Sequence, residues 1–238
     1  MDSKVVNCSI KANVWLALKE NGFSHFTSRS AWRFHADRID VVNFQSFNSY
    51  NASVIGCTTF SFAVNLGCYL LCIPYQYGAE HLKENGGRLL PDEAQCQMRR
   101  QIQPRDERSL VERLLARKAP KGIWPIDESG SNLTSTFEEV RSRLLDDGLQ
   151  WFSRFAQPKE VLRIFTSESE SMGELWGFGN NPSPHRSYCI GYSALSQGEH
   201  ELALTHLNSA LASGCYSSVK DQLHSAVRAA QQIVPADR

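Results

Sequence analysis

Residues 60–67 read Phe-Ser-Phe-Ala-Val-Asn-Leu-Gly, with large apolar side chains at 60, 62, 64 and 66 and smaller or polar ones between them. Successive side chains of a β-strand point to opposite faces, so this period of two describes a strand with one face in a core and Ser61 and Asn65 on the other. The pattern extends upstream. From Phe23 to Cys72 β-branched and aromatic residues recur at the same period, divided by turn-prone Ala36-Asp37-Arg38 and Asn48-Ser49-Tyr50-Asn51. This is the pattern of an antiparallel meander. Trp32/Phe34, Val42/Phe44 and Phe60/Phe62/Val64/Leu66 are expected on one face. Arg33, His35, Asn43, Gln45, Ser61 and Asn65 are expected on the other.

Before the meander, Val6, Ile10, Val14 and Leu18 recur at helical spacing, with Ser3 able to cap the start and Gly22 to end the helix. After it, residues 74–104 are rich in Gly, Pro and charge and read as a loop, followed by a helix over 105–118. Gly122-Ile-Trp-Pro-Ile126 reads as a short edge strand, because Pro125 cannot donate to a ladder. Residues 127–132 read as a linker. Beyond them Phe137, Val140, Leu144, Leu149, Phe152 and Phe155 keep helical spacing, and Pro158 opens another helix. From Tyr188 onward Gly191, Gly198, Ala203 and Ala210 stand at the small-residue positions of a tetratricopeptide-type hairpin over 188–213. The expected fold class is α+β: an antiparallel meander sheet on an amino-terminal helix in a domain over 1–126, then an all-helical domain over 135–238.

Twenty-five Lys plus Arg balance twenty-five Asp plus Glu, so no global field draws nucleic acid or an anionic membrane. Residues 54–74, the most apolar stretch, contain Thr58, Thr59, Ser61 and Asn65, which argues against a membrane span. The first residues, Met1-Asp2-Ser3-Lys4, lack the form of a secretory signal. Seven scattered cysteines without CxxC spacing point to reduced thiols and a cytoplasmic setting.

Four blocks, Asn21-Gly22-Phe23, Val42-Asn43-Phe44-Gln45-Ser46, Phe60 to Gly67 and Cys96-Gln97-Met98-Arg99, resemble the bacterial family called domain of unknown function 4304. Gly148-Leu149-Gln150-Trp151-Phe152 and Gly191-Tyr192-Ser193-Ala194-Leu195 extend the likeness toward the carboxy terminus. The family pattern leads one to expect arginine where Gln101 stands, with Arg100 as a substitute. The resemblance implies a fold and no activity.

Strand parity, together with the family blocks, groups Arg33, Asn43, Gln45 and Asn65 with Arg99 and Arg100 as a binding face. Guanidinium groups there would hold a carboxylate or phosphate, and the amides would fix its orientation. The alternative is a hydrogen-bond network that holds the sheet. Catalysis finds no support in a metal-ligand set, phosphate loop or nucleophile elbow. Cys96 with His25, His35 or His81 is the one thiol–imidazole pairing to be tested, and Gly177-Phe178-Gly179 reads as a turn. No cofactor is implied. The sequence therefore leads to a non-catalytic binding or regulatory protein, including the kind that blocks a partner as immunity proteins do. The alternatives are an enzyme or sensor for a small anionic ligand, and a nucleic-acid binder using the basic stretch from Arg105 to Lys121.

Overall fold

The computed structural model of the chain describes residues 3–105, 122–167 and 183–232. It is α+β. Strands β1 (His25–Phe26), β2 (Ser30–Phe34), β3 (Arg38–Ser46), β4 (Phe62–Leu70) and β7 (Met98–Ile102) follow one another in that spatial order, and β8 (Ile123–Trp124) pairs with β4. β5 (Glu84–Asn85) and β6 (Arg88–Leu89) form a separate hairpin within the stretch that reads as a loop. His25 faces Trp32 across β1 and β2, and Phe62 faces Trp124 across β4 and β8, both antiparallel. The edge strand expected around Trp124 is therefore present. The basic helix expected over 105–118 lies outside the described residues, except for Arg105.

By contacts the chain divides into two compact units. One comprises Met1–Phe34, Asp40–Leu66 and Gln101–Trp151, and the other His35–Ile39, Gly67–Arg100 and Phe152–Arg238.

In the first unit a helical run over 3–20 consists of α1 (Ser3–Ile10), a π-helical turn (Lys11–Trp15) and α2 (Leu16–Glu20). Val6, Ile10, Val14 and Leu18 are all buried. Their spacing of four would drift about 40° per step around an α-helix of 3.6 residues per turn. The π turn, which bonds i to i+5, takes up this drift and keeps the four on one side. Trp15 meets Phe44 edge to face at 5.4 Å, Phe44 lies 5.4 Å from Phe62, and Phe62 stacks on Phe137 at 5.1 Å. Phe137 belongs to α4 (Leu133–Arg143), which continues through a second π turn (Leu144–Gly148) into α5 (Leu149–Ser153). These aromatic rings form the core of the unit.

Two local readings change. Asn48 accepts the Asn51 amide at 2.8 Å and caps a short helix, α3 (Ser49–Ile55), where the composition reads as a turn. Phe60 precedes the strand, because Ser61 N bonds Thr58 O and closes a turn there.

In the second unit, α6 (Pro158–Thr166) ends on a buried cation: Arg186 donates to Phe165 O at 2.7 Å, to Ile164 O at 3.3 Å and to Ser167 O. It thereby satisfies carbonyls that the helix end leaves open. Helices α7 (Pro184–Ser196) and α8 (His200–Ala212) form a helical hairpin, with α9 (Lys220–Gln231) packed against it. Gly198 turns the chain at φ +78°. A Cβ at Gly191 would stand 2.7 Å from the Leu207 side chain and 3.0 Å from its backbone nitrogen, so the two helices touch there. Gly191→Val should cost about 1–3 kcal/mol by overpacking. Because the clash is with Leu207, thermal melts of the double variant Gly191→Val/Leu207→Ala should show a smaller loss than the two single losses added.

Candidate functional site

The face predicted from parity is partly assembled. Asn43 Nδ2 donates to Ser30 Oγ at 3.0 Å, Asn65 Nδ2 to Gln45 Oε1 at 3.0 Å and Gln101 Nε2 to Asn65 Oδ1 at 3.3 Å. Three amides thus form a row across β3, β4 and β7. Gln101, the departure from the expected arginine, is its third member. Asn65 is only 2% exposed and bonded on both sides, while Gln45 at one end is exposed.

Arg33 stands elsewhere. Its Nε and Nη2 bind Asp40 Oδ2 at 2.9 and 2.8 Å, its Nη1 binds Asn21 O at 3.1 Å, and its guanidinium lies over the Phe23 ring. Asp40 and Asn43 are three apart on one strand and point to opposite faces. Arg33 therefore shares a face with Asp40 and not with Asn43, contrary to the parity reading. The cause is the hairpin turn, where His35 N bonds Arg38 O across two residues and sets a register that composition does not reveal.

Arg99 and Arg100 belong to the second unit, in β7. Arg99 places Nε and Nη2 on Glu93 Oε1, both at 3.0 Å. Burial pushes the Glu93 carboxyl above its ordinary value, and Arg99 opposes that rise.

Arg99 also lines a cavity of about 490 Å³ inside the second unit. Four separate stretches build it: 73–77, 94–99, the start of α7 and residues 215–216. Tyr188 and Tyr216 stack at 4.5 Å with their planes 17° apart, and Tyr75 meets Tyr77 edge to face at 5.5 Å. Tyr188 donates to Pro74 O at 3.1 Å, tying α7 to one wall. Gln97 donates to Ile73 O and accepts from Leu70 N, holding the same segment. Desolvation raises the phenol pKa of Tyr75, Tyr188 and Tyr216, so all three stay protonated. Sequence reading missed this site because the tyrosines follow no local spacing.

The histidines expected beside Cys96 are engaged elsewhere. His25 packs on Trp32, His35 holds the hairpin turn through its backbone, and His81 pairs with Glu80 at 3.8 Å. Cys96 is buried against Gly67, with Sγ 3.6 Å from Asp92 O. A different thiol meets an imidazole: Cys189 Sγ lies 4.0 Å from His185 Nε2. Burial pushes that thiol well up and brings His185 down to about 4, so both are neutral at pH 7. Among the described residues no group of His, Cys, Asp and Glu could hold a metal, and no helix is long and apolar enough to cross a membrane. The Gly177-Phe178-Gly179 stretch lies outside the described residues.

The family profile described as "Domain of unknown function (DUF4304)" matches residues 15–154. The chain belongs to this family. No curated protein and no solved structure matches it.

Asn65→Ala removes the middle of the amide row, but Gln45 and Gln101 can turn to water, so the expected loss is about 1–2 kcal/mol. Phe62→Ala opens the aromatic core and should lose about 3–5 kcal/mol. Urea titrations of both variants check the ranking. A second expectation concerns acid. His185 is depressed below its unfolded value near 6.5, so its contribution to stability is complete above that pH. It is lost as pH falls toward about 4. At pH 4.5 the His185→Gln variant should have lost up to about 3 kcal/mol less than the unaltered chain has, relative to pH 7.

Proposed function

We propose that this protein is a non-catalytic binding protein whose ligand seats in the tyrosine-lined cavity of the second unit. One observation carries the reading: the cavity has the size of a ligand site, yet the buried phenols of Tyr188 and Tyr216 and the Cys189–His185 pair are held in their neutral, unreactive forms. A nucleophile needs a lowered pKa or an ionised neighbour, and the Cys189–His185 pair is shifted the opposite way on both sides. Asn65, the buried middle of the amide row, is bonded on both sides by its neighbours, which favours the cavity over the sheet face as the place where a ligand enters. Arg99 is the predicted binding residue that lines the cavity. The close approach of Gly191 to Leu207 supports a tetratricopeptide-type reading of the hairpin, a scaffold suited to regulatory binding, including immunity-type inhibition of a protein. All seven cysteines are free thiols, which supports a reducing, cytoplasmic setting.

Alkylation of the native chain by iodoacetamide at pH 7, followed cysteine by cysteine by mass spectrometry, tests the non-catalytic reading. Exposed Cys8 and Cys215 should react at the rate of an ordinary thiol, while Cys96 and Cys189 stay protected. Faster reaction at Cys96 or Cys189 than at a free cysteine peptide would mark a nucleophile and overturn the proposal.

A further inference from the structure

The charge, shape and size of the cavity together narrow its ligand. Among the described residues that line it there is no Asp or Glu, and Arg99 supplies a cation. Glu93 holds that guanidinium through two of its nitrogens, so Arg99 is oriented before any ligand arrives. A guanidinium fixed in this way is suited to a carboxylate or phosphate and loses little freedom on binding one. The helix α7 begins at the same wall, capped by Ser183, and its dipole favours the same sign of ligand charge.

The aromatic walls call for a flat ring. Tyr188 and Tyr216 form a parallel pair buried in the wall, and Tyr77, 55% exposed and near-perpendicular to Tyr75, presents the accessible ring on which a flat ligand can pack. The Tyr188 hydroxyl is spent on Pro74 O, and a phenol such as that of Tyr77 can donate to a ring nitrogen or exocyclic oxygen. A volume of about 490 Å³ exceeds a single benzene ring and matches a ligand of drug or nucleotide size.

We infer that the cavity takes a flat aromatic ligand of about mononucleotide size carrying one anionic group, with the ring against the tyrosines and the phosphate or carboxylate on Arg99. This rests on the binding reading above and names the class of ligand for the same cavity.

The test separates ring from charge. Isothermal titration calorimetry on the full chain would use AMP, GMP, CMP and UMP as the phosphate arm and 2-naphthoate as the carboxylate arm. The matched nucleosides and 2-naphthol serve as rings without charge, and inorganic phosphate and acetate as charge without a ring. At least one aromatic anion should bind tenfold or more tighter than both of its halves, and the arm that wins tells phosphate from carboxylate. Tyr77→Ala, whose ring is more than half exposed and can be removed without opening the core, should weaken that ligand about tenfold or more. Arg99→Gln should reduce it to the affinity of the uncharged ring. If loss of Arg99 unfolds the chain by stranding Glu93, the double variant Glu93→Gln/Arg99→Gln gives the same readout. Equal binding of inorganic phosphate or acetate would leave a bare anion site, and equal binding of the uncharged rings a plain aromatic cleft. Either result overturns the inference, as does absence of binding by every aromatic anion at millimolar concentration. In that last case quiet thiols in the alkylation experiment would still uphold the binding reading, and the ligand class alone would fall.

Discussion

A carboxylate sealed from water, Asp40 at 0% side-chain exposure, can exist in this protein because Arg33 reaches it with two nitrogens. Taking a charge out of water costs several kcal/mol, and removing one partner of a buried pair costs about 3–5 kcal/mol. The pair is thus intolerant of any register that parts its members. Arg33 also binds Asn21 O, where the first helical run ends, and lies over the Phe23 ring. One guanidinium therefore joins the helix end, the approach to β1, and strands β2 and β3 of the first unit. The aromatic cluster of Trp15, Phe44, Phe62 and Phe137 can assemble only when those elements are in this register. Asn43 and Gln45 then occupy the other side of β3 by geometry alone.

That dependence also explains which parts of the fold were legible in the sequence. Alternation at 60–67 and at 42–44 carries its own period, so the strand around Phe62 and the inward direction of Phe44 can be read directly. The side taken by Arg33 cannot, because a turn one residue longer or shorter inverts it, and only the His35–Arg38 backbone bond decides. Asn48 illustrates a similar ambiguity, since the same side chain favours turns and caps helices. Gln101 looked like a lost arginine and is a member of the amide row. The cavity was not legible at all: Tyr75, Tyr77, Tyr188 and Tyr216 come from three separate stretches of the chain, and no local pattern marks residues that meet only after folding.

The two polar arrangements differ in what they leave over. In the amide row, Asn65 is held on one side by Gln45 and on the other by Gln101, so its amide is spent on holding strands. In the cavity, burial keeps the phenols of Tyr75, Tyr188 and Tyr216 protonated and the His185 imidazole and Cys189 thiol neutral, while the Arg99 guanidinium sits on a carboxyl whose own pKa is pushed up. The residues first singled out on β3 and β4 are thus bonded within the sheet, whereas Arg99 lines the cavity of the second unit.

The π-helical turn at Lys11–Trp15 has an evolutionary meaning. A helix with i to i+5 bonding carries one residue more per turn than its α-helical neighbours, which is the local form that a single inserted codon takes when the helix must keep both ends where they are. The four buried residues spaced by four have the phase that such an insertion leaves. Relatives whose first helix is one residue shorter would keep the same buried face by regular α-helix. A length change of one residue at this point can be absorbed by the helix, whereas the same change in the turn between Arg33 and Asp40 would separate the pair.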